Sequence, residues 1–113
     1  MHELGVASAL YEWALSQSRQ VEPRRLLSIE LEQDSLSGLN ADSVDFGFRA
    51  LATGTEVEGV RLEWHEVSPT YVCPRCSETS TSSAAPQGCL HCGGAVPRLA
   101  RTDSLRVLSI EVE

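Results

Sequence analysis

Every cysteine in the chain belongs to one of two short pairs, Cys73-Pro74-Arg75-Cys76 and Cys89-Leu90-His91-Cys92. Two residues between thiolates let both sulfurs of a pair turn toward one ion. Two such pairs supply four soft ligands in the tetrahedral arrangement that zinc takes in structural sites. The stretch from Ser77 to Gly88 is long enough to bring the second pair back to the first. It is rich in serine and threonine and nearly without apolar residues, so it cannot build a core of its own. A segment of that size and composition folds only if something staples it, and here the staple is a metal.

The donor set leaves the metal to be weighed. Zinc ranks first, and iron fits four thiolates as well. Disulfides need an oxidising compartment, whereas the chain opens on a charged, amphipathic segment and not on a signal peptide. A thioredoxin-like redox motif needs only one pair. His91, inside the second knuckle, is expected to be an exposed knuckle residue and not a ligand.

The chain has 113 residues, which bounds it to one small domain or one domain with an appended module. The net charge is −7 and all nine basic residues are arginine. Such a chain repels nucleic-acid phosphates, which argues against a nucleic-acid ribbon. No apolar run approaches the roughly 18 residues of a membrane span. Together these point to a cytoplasmic protein whose partners are proteins or cations.

Hydrophobic periodicity organises the rest. Residues 4–20 read as an amphipathic helix, with Ser8, Glu12, Ser16 and Arg19 on a polar stripe and Leu4, Ala7, Leu10, Tyr11, Ala14 and Leu15 on the apolar face. Residues 26–32 alternate with period two, as do Val60 to His65, and both read as half-buried strands. Between them Asn40 or Asp42 can cap a helix over roughly 41–53, with Val44, Phe48 and Leu51 turned inward. Residues 107–113 return to strand, so the cysteine module is an insertion. It is expected to leave and re-enter through adjacent strands of the main sheet. The expected architecture is α+β, with two helices on a three-stranded sheet and an inserted zinc ribbon. The expected domains are residues 1–69 with 98–113, and 70–97. On the surface, His65 and the glutamates 30, 32, 111 and 113 read as a solvated sheet face. Trp13 and Trp64 read as core or interface anchors. No nucleophile–base pair, phosphate loop or paired-acid motif is present, so nothing asks for catalysis.

The first three residues, Met1-His2-Glu3, hold a second possible ligand set. The α-amine of Met1, the amide nitrogen of His2 and its Nδ1 close one five-membered and one six-membered chelate ring. Planar nitrogen donors suit Ni(II) or Cu(II). The competing reading is a chance histidine followed by a glutamate that complements the first-helix dipole.

An initial Met-His-Glu-Leu, Phe46-Gly47-Phe48 ahead of Gly54-Thr55, Glu58-Gly59-Val60-Arg61-Leu62-Glu63, the paired knuckles and the terminal Ser109-Ile110-Glu111-Val112-Glu113 resemble the HypA family. HybF proteins belong to the same group. The resemblance spans essentially the whole chain. It implies a nickel metallochaperone for [NiFe]-hydrogenase maturation, some members also serving urease. It implies nickel on Met1 and His2, with Glu3 as a further ligand or a neighbour of the site, and zinc on Cys73, Cys76, Cys89 and Cys92. It implies transient Ni(II), structural Zn(II), a GTPase maturation partner, and delivery to the hydrogenase large subunit. Some members place an aspartate near the nickel; the counterpart here is Asn40, with Asp42 two residues on. Neither membrane nor nucleic acid enters this reading, and the chain is expected to be a monomer or weak homodimer. The alternative is a zinc-ribbon interaction module that delivers no nickel.

Overall fold

The computed structural model describes residues 2–82, 84–100 and 105–113, with the side chain of His2 outside the description. The larger sheet is built on β1, Leu26–Asp34. Its inward residues Ile29 and Leu31 have no exposed surface, as their alternation with Ser28, Glu30 and Glu32 demands. A strand buried this way must pair on both edges. It runs parallel to β2, Arg61–Val67, and antiparallel to β6, Leu105–Val112, giving the order β2-β1-β6.

A parallel neighbour needs a crossover, and α2, Ala41–Ala52, supplies it. Asn40 starts this helix: its Oδ1 accepts from the Ser43 amide at 3.0 Å, which resolves the choice between Asn40 and Asp42 as cap. Val44, Phe48 and Ala52, spaced one turn apart, are buried. The first helix, α1, runs His2–Val21 and turns Ala7, Leu10 and Ala14 into the same core. Leu4, placed on that face by periodicity, is exposed instead, because it lies in the first turn where no neighbouring element covers it.

The two helices run side by side in the same direction. Glu3 meets Asn40 at one end and Arg19 meets Glu56 at the other. They come close because Gly47 faces Ala7; a Cβ at position 47 would sit 3.0 Å from the Ala7 Cβ. Val57 and Val60 close the core between α2 and β2.

The expectation that the cysteine segment leaves and re-enters through adjacent strands is corrected. It leaves from β2 and returns into β6, on opposite sides of β1. The crossover through α2 takes one edge of β1, and the strand returning from the segment can only take the other. The segment carries a second sheet of three short strands, which periodicity did not reveal: β3, Thr70–Val72; β4, Thr79–Thr81; and β5, Arg98–Leu99. Their order is β4-β3-β5, and β5 carries this sheet past residue 97. Strands of two or three residues are too short for alternation to show. Their pairing rests instead on the cysteine turns beside them. The whole chain is elongated, with a radius of gyration of 17.8 Å, where a compact chain of this length has about 13 Å.

Phe48 has no exposed surface and Phe46, two residues earlier on α2, is 76 % exposed. Phe48→Ala should therefore lower unfolding free energy by about 3–5 kcal/mol. Phe46→Ala should change it by no more than about 0.5 kcal/mol. Urea unfolding of the metal-loaded protein, followed by circular dichroism, measures both.

Candidate metal centre

The two cysteine pairs form matched turns. In the first, the Ser77 amide donates to the Cys73 carbonyl at 2.9 Å; in the second, Gly93 donates to Cys89 at 3.0 Å. Each closing residue is left-handed, Ser77 at φ 66° and Gly93 at φ 65°. Glycine takes that conformation at no steric cost, and serine does not.

Each turn aims backbone N–H groups at sulfur. Arg75 and Cys76 donate to Cys73 Sγ, and His91 and Cys92 donate to Cys89 Sγ, all at 3.4 Å. Gly94 donates to Cys92 Sγ at 3.4 Å, and the Glu78 amide plays the same part for Cys76. Donors placed this way stabilise thiolate over thiol.

The four sulfurs converge. Cys73 and Cys92 lie 3.7 Å apart, Cys76 and Cys89 3.6 Å, and all four lie within 4.8 Å of one another. These separations exclude disulfides, whose sulfurs sit about 2.05 Å apart. They match a tetrahedron around one ion: a zinc–sulfur bond of about 2.3 Å implies sulfur–sulfur edges of about 3.8 Å.

The electrostatics make the same demand. The Cys92 and His91 amides hold the Cys89 thiol down at about 6. Cys73 is lowered as well, chiefly by the Cys76 amide. The Glu78 amide also draws Cys76 down, but burial and the neighbouring sulfurs outweigh it and push that thiol up to about 12. Four thiolates at this spacing cannot all be charged unless a cation lies among them. A soft divalent ion bound by four cysteinates fits the residues present. Its chemistry would be structural: four protein ligands leave no open position for a substrate.

Other expected residues lie elsewhere. His91 Nε2 lies 3.6 Å from Glu78, outside the sulfur cluster and in keeping with an exposed knuckle residue. His65 bonds Glu30 at 2.8 Å on the outer face of the larger sheet, and Ser109 donates to the other oxygen of Glu30 at 2.9 Å. These contacts hold the Glu30 carboxyl below its usual range, His65 contributing most. Among the described residues the four cysteines are the one group of three or more potential metal-binding side chains.

At the other end of the chain, Met1 and the His2 side chain lie outside the described residues. Glu3 is described: its carboxylate accepts from the Asn40 amide at 3.2 Å, tying the first turn of α1 to the cap of α2. That contact was not foreseen, nor were the left-handed positions at Ser77 and Gly93. The latter had a signal in the repeated small residue directly after each C-x-x-C.

A family model described as "HypA: Hydrogenase/urease nickel incorporation, metallochaperone, hypA" matches residues 1–112. The hydrogenase maturation factor HypA of Aeromonas hydrophila is 37 % identical over 112 residues, covering 99 % of both chains. That of Roseiflexus is 32 % identical over 117 residues, covering 100 % of this chain and 93 % of the relative. Two solved structures share the fold. The Ni metallochaperone HypA from Helicobacter pylori matches with a TM-score of 0.69 at 17 % identity, covering 96 % of this chain and 95 % of that one. A second HypA protein matches with a TM-score of 0.79 at 16 % identity, covering 100 % and 97 %.

Metal held by thiolates is released when they protonate, so retention should fall with falling pH. A colorimetric chelator reads that fall in an acid titration of the metal-loaded protein. Ser77→Gly should relieve about 1 kcal/mol of left-handed strain and slow metal loss to the same chelator.

Proposed function

The chain belongs to the HypA family, and from that premise we propose that it carries Ni(II) at its N-terminus while Cys73, Cys76, Cys89 and Cys92 hold a structural Zn(II). The family is one of metallochaperones, so the chain is a maturation factor and not an enzyme. Nickel would be gripped by the Met1 α-amine, the His2 amide nitrogen and His2 Nδ1. Glu3 supports that site. The cargo is passed to the hydrogenase large subunit in the cytoplasm, with a GTPase maturation partner.

The observation that carries this reading is the position of residue 2. It is the first residue of α1, so its amide has no intrahelical acceptor and is free to ligate. The next side chain is tied down at Asn40. The chain is thereby anchored one residue after its chelating histidine, which lowers the cost of ordering the ligands.

The same position limits affinity. A helix N-terminus carries partial positive charge and repels a cation, and the Glu3 carboxylate offsets only part of this. A carrier must release its ion, and a site with three nitrogen donors at such a place can do so. Asn40 is engaged through both its amide and its Oδ1 as the cap of α2. It therefore supports the position of Glu3 and does not replace the carboxylate found at that place in some relatives.

His2→Ala should abolish specific nickel binding while leaving zinc content and the circular dichroism spectrum unchanged. A residual N-terminal tag should do nearly the same, since it converts the amine into an amide. Glu3→Ala should weaken binding less. Binding should also weaken as pH falls through about 6.5, where free imidazole takes up a proton. Calorimetric titration of the untagged protein with Ni(II) measures each case. Equal affinity in the native, His2→Ala and extended proteins would sink the nickel-carrier reading and leave a zinc-stapled interaction module.

A further inference from the structure

The two cysteine turns reach across to each other in matching places. In each turn it is the residue just before the second cysteine that reaches: Arg75 in the first, His91 in the second. Each meets the residue two places after the other turn's second cysteine. His91 Nε2 lies 3.6 Å from the Glu78 carboxylate. The Arg75 side chain lies over Gly94, in the space where any other residue would carry its Cβ. The residues met in this way, Glu78 and Gly94, are the ones whose amides donate to Cys76 and Cys92 Sγ.

The two contacts match in position and differ in charge. His91 meets an anion. Arg75 meets bare backbone, and among the described residues no carboxylate pairs with it. Four thiolates around a divalent ion keep two negative charges between them. Arg75 is the single arginine from residue 70 to residue 97. The sulfurs are not equally protected. Cys73 and Cys89 are buried and take two amide N–H groups each; Cys92 is exposed and, among the described residues, takes one, from Gly94. Cys92 is thus the thiolate that water and a competing ligand reach first. The one amide on it belongs to the residue on which Arg75 rests.

We propose that Arg75 sets how fast the ribbon gives up its metal: folded over Gly94, its guanidinium keeps the Gly94 amide on Cys92 Sγ and offsets the negative charge of the four sulfurs on their exposed side. It is a positioning residue and not a ligand. The inference rests on the four cysteinates holding a divalent ion, and the zinc content of the native protein tests that separately. Position 94 is glycine because a Cβ there would take the place of the guanidinium. Gly94, unlike Gly93, is not left-handed, so alanine fits its backbone. What alanine would push aside is a flexible side chain. Gly94→Ala therefore moves Arg75 while leaving its charge in the protein and the turn unstrained.

The rate of zinc loss from the full-length, metal-loaded protein to a neutral chelator such as phenanthroline, at fixed pH, reads the effect. Arg75→Gln should speed loss about threefold, the scale of one exposed charge contact. Arg75→Lys keeps the charge and should recover most of the difference. Gly94→Ala should speed loss to a similar extent. It should add nothing in an Arg75→Gln background, where no cation is left to displace. Arg98→Gln, on β5 of the same small sheet, should leave the rate as it is. Added salt should raise the native rate toward that of Arg75→Gln and change Arg75→Gln less, since screening acts on charge and not on packing. An unchanged rate in Arg75→Gln overturns the proposal. So does equal acceleration by Arg98→Gln, or an additive effect of Gly94→Ala and Arg75→Gln. Should Arg75→Gln fail to take up zinc, Gly94→Ala decides the matter, and a native rate in that variant overturns the proposal.

Discussion

Four sulfur atoms within 4.8 Å of one another can be charged together only around a cation, and the fold of the ribbon depends on that condition. The small sheet has little else to hold it. Leu90 is 95 % exposed, and Val96 and Leu99 are also exposed; Tyr71 is the one large ring it buries. Three strands of two or three residues do not persist alone in water. The backbone prepares the charge state by turning N–H groups toward sulfur, and the metal completes it. The matched turns at Cys73 and Cys89 thus serve two ends. They shape the loop, and they lower the cost of ionising the ligands.

The larger part of the molecule is held by ordinary means. Apolar side chains from two helices and one central strand meet in a single core, and the surface ion pairs around them add little. What distinguishes this part is where its chain ends lie. Glu3 reaches the cap of α2, so one hydrogen bond joins the start of the chain to the start of the crossover helix. The proposed nickel ligands precede that bond directly. Any change in how residue 3 sits is therefore felt at Asn40.

Those features carried by side-chain type at short spacing were legible in the sequence. The cysteine pairs gave their cluster because two-residue spacing leaves few other geometries. Ile29 and Leu31 gave their burial through strict alternation, and Val44 with Phe48 gave the inner face of α2 through helical spacing. Features set by long-range placement were not legible. Alternation shows that β1, β2 and β6 are strands but does not say which lies in the middle. The order followed only from the crossover and the remaining free edge. The bulge at Leu108 was hidden too, because Val107-Leu108-Ser109-Ile110 reads as plain strand until its partner residues are known. Leu4 failed in the opposite way: its spacing is right, but no neighbour reaches the first turn.

The placement of the ribbon between β2 and β6 has an entropic side. These strands flank β1, so everything from residue 68 to residue 104 is one excursion that must close across the sheet before β6 can pair. Tying Cys73 to Cys92 through a common ion roughly halves the length of free chain in that excursion. Loop-closure cost grows only logarithmically, so the halving favours assembly of the larger sheet by just about 0.6 kcal/mol. The ion that decides whether the ribbon exists is therefore almost silent in the stability of the body that carries it. Metal can enter and leave the smaller part while the larger part stays folded.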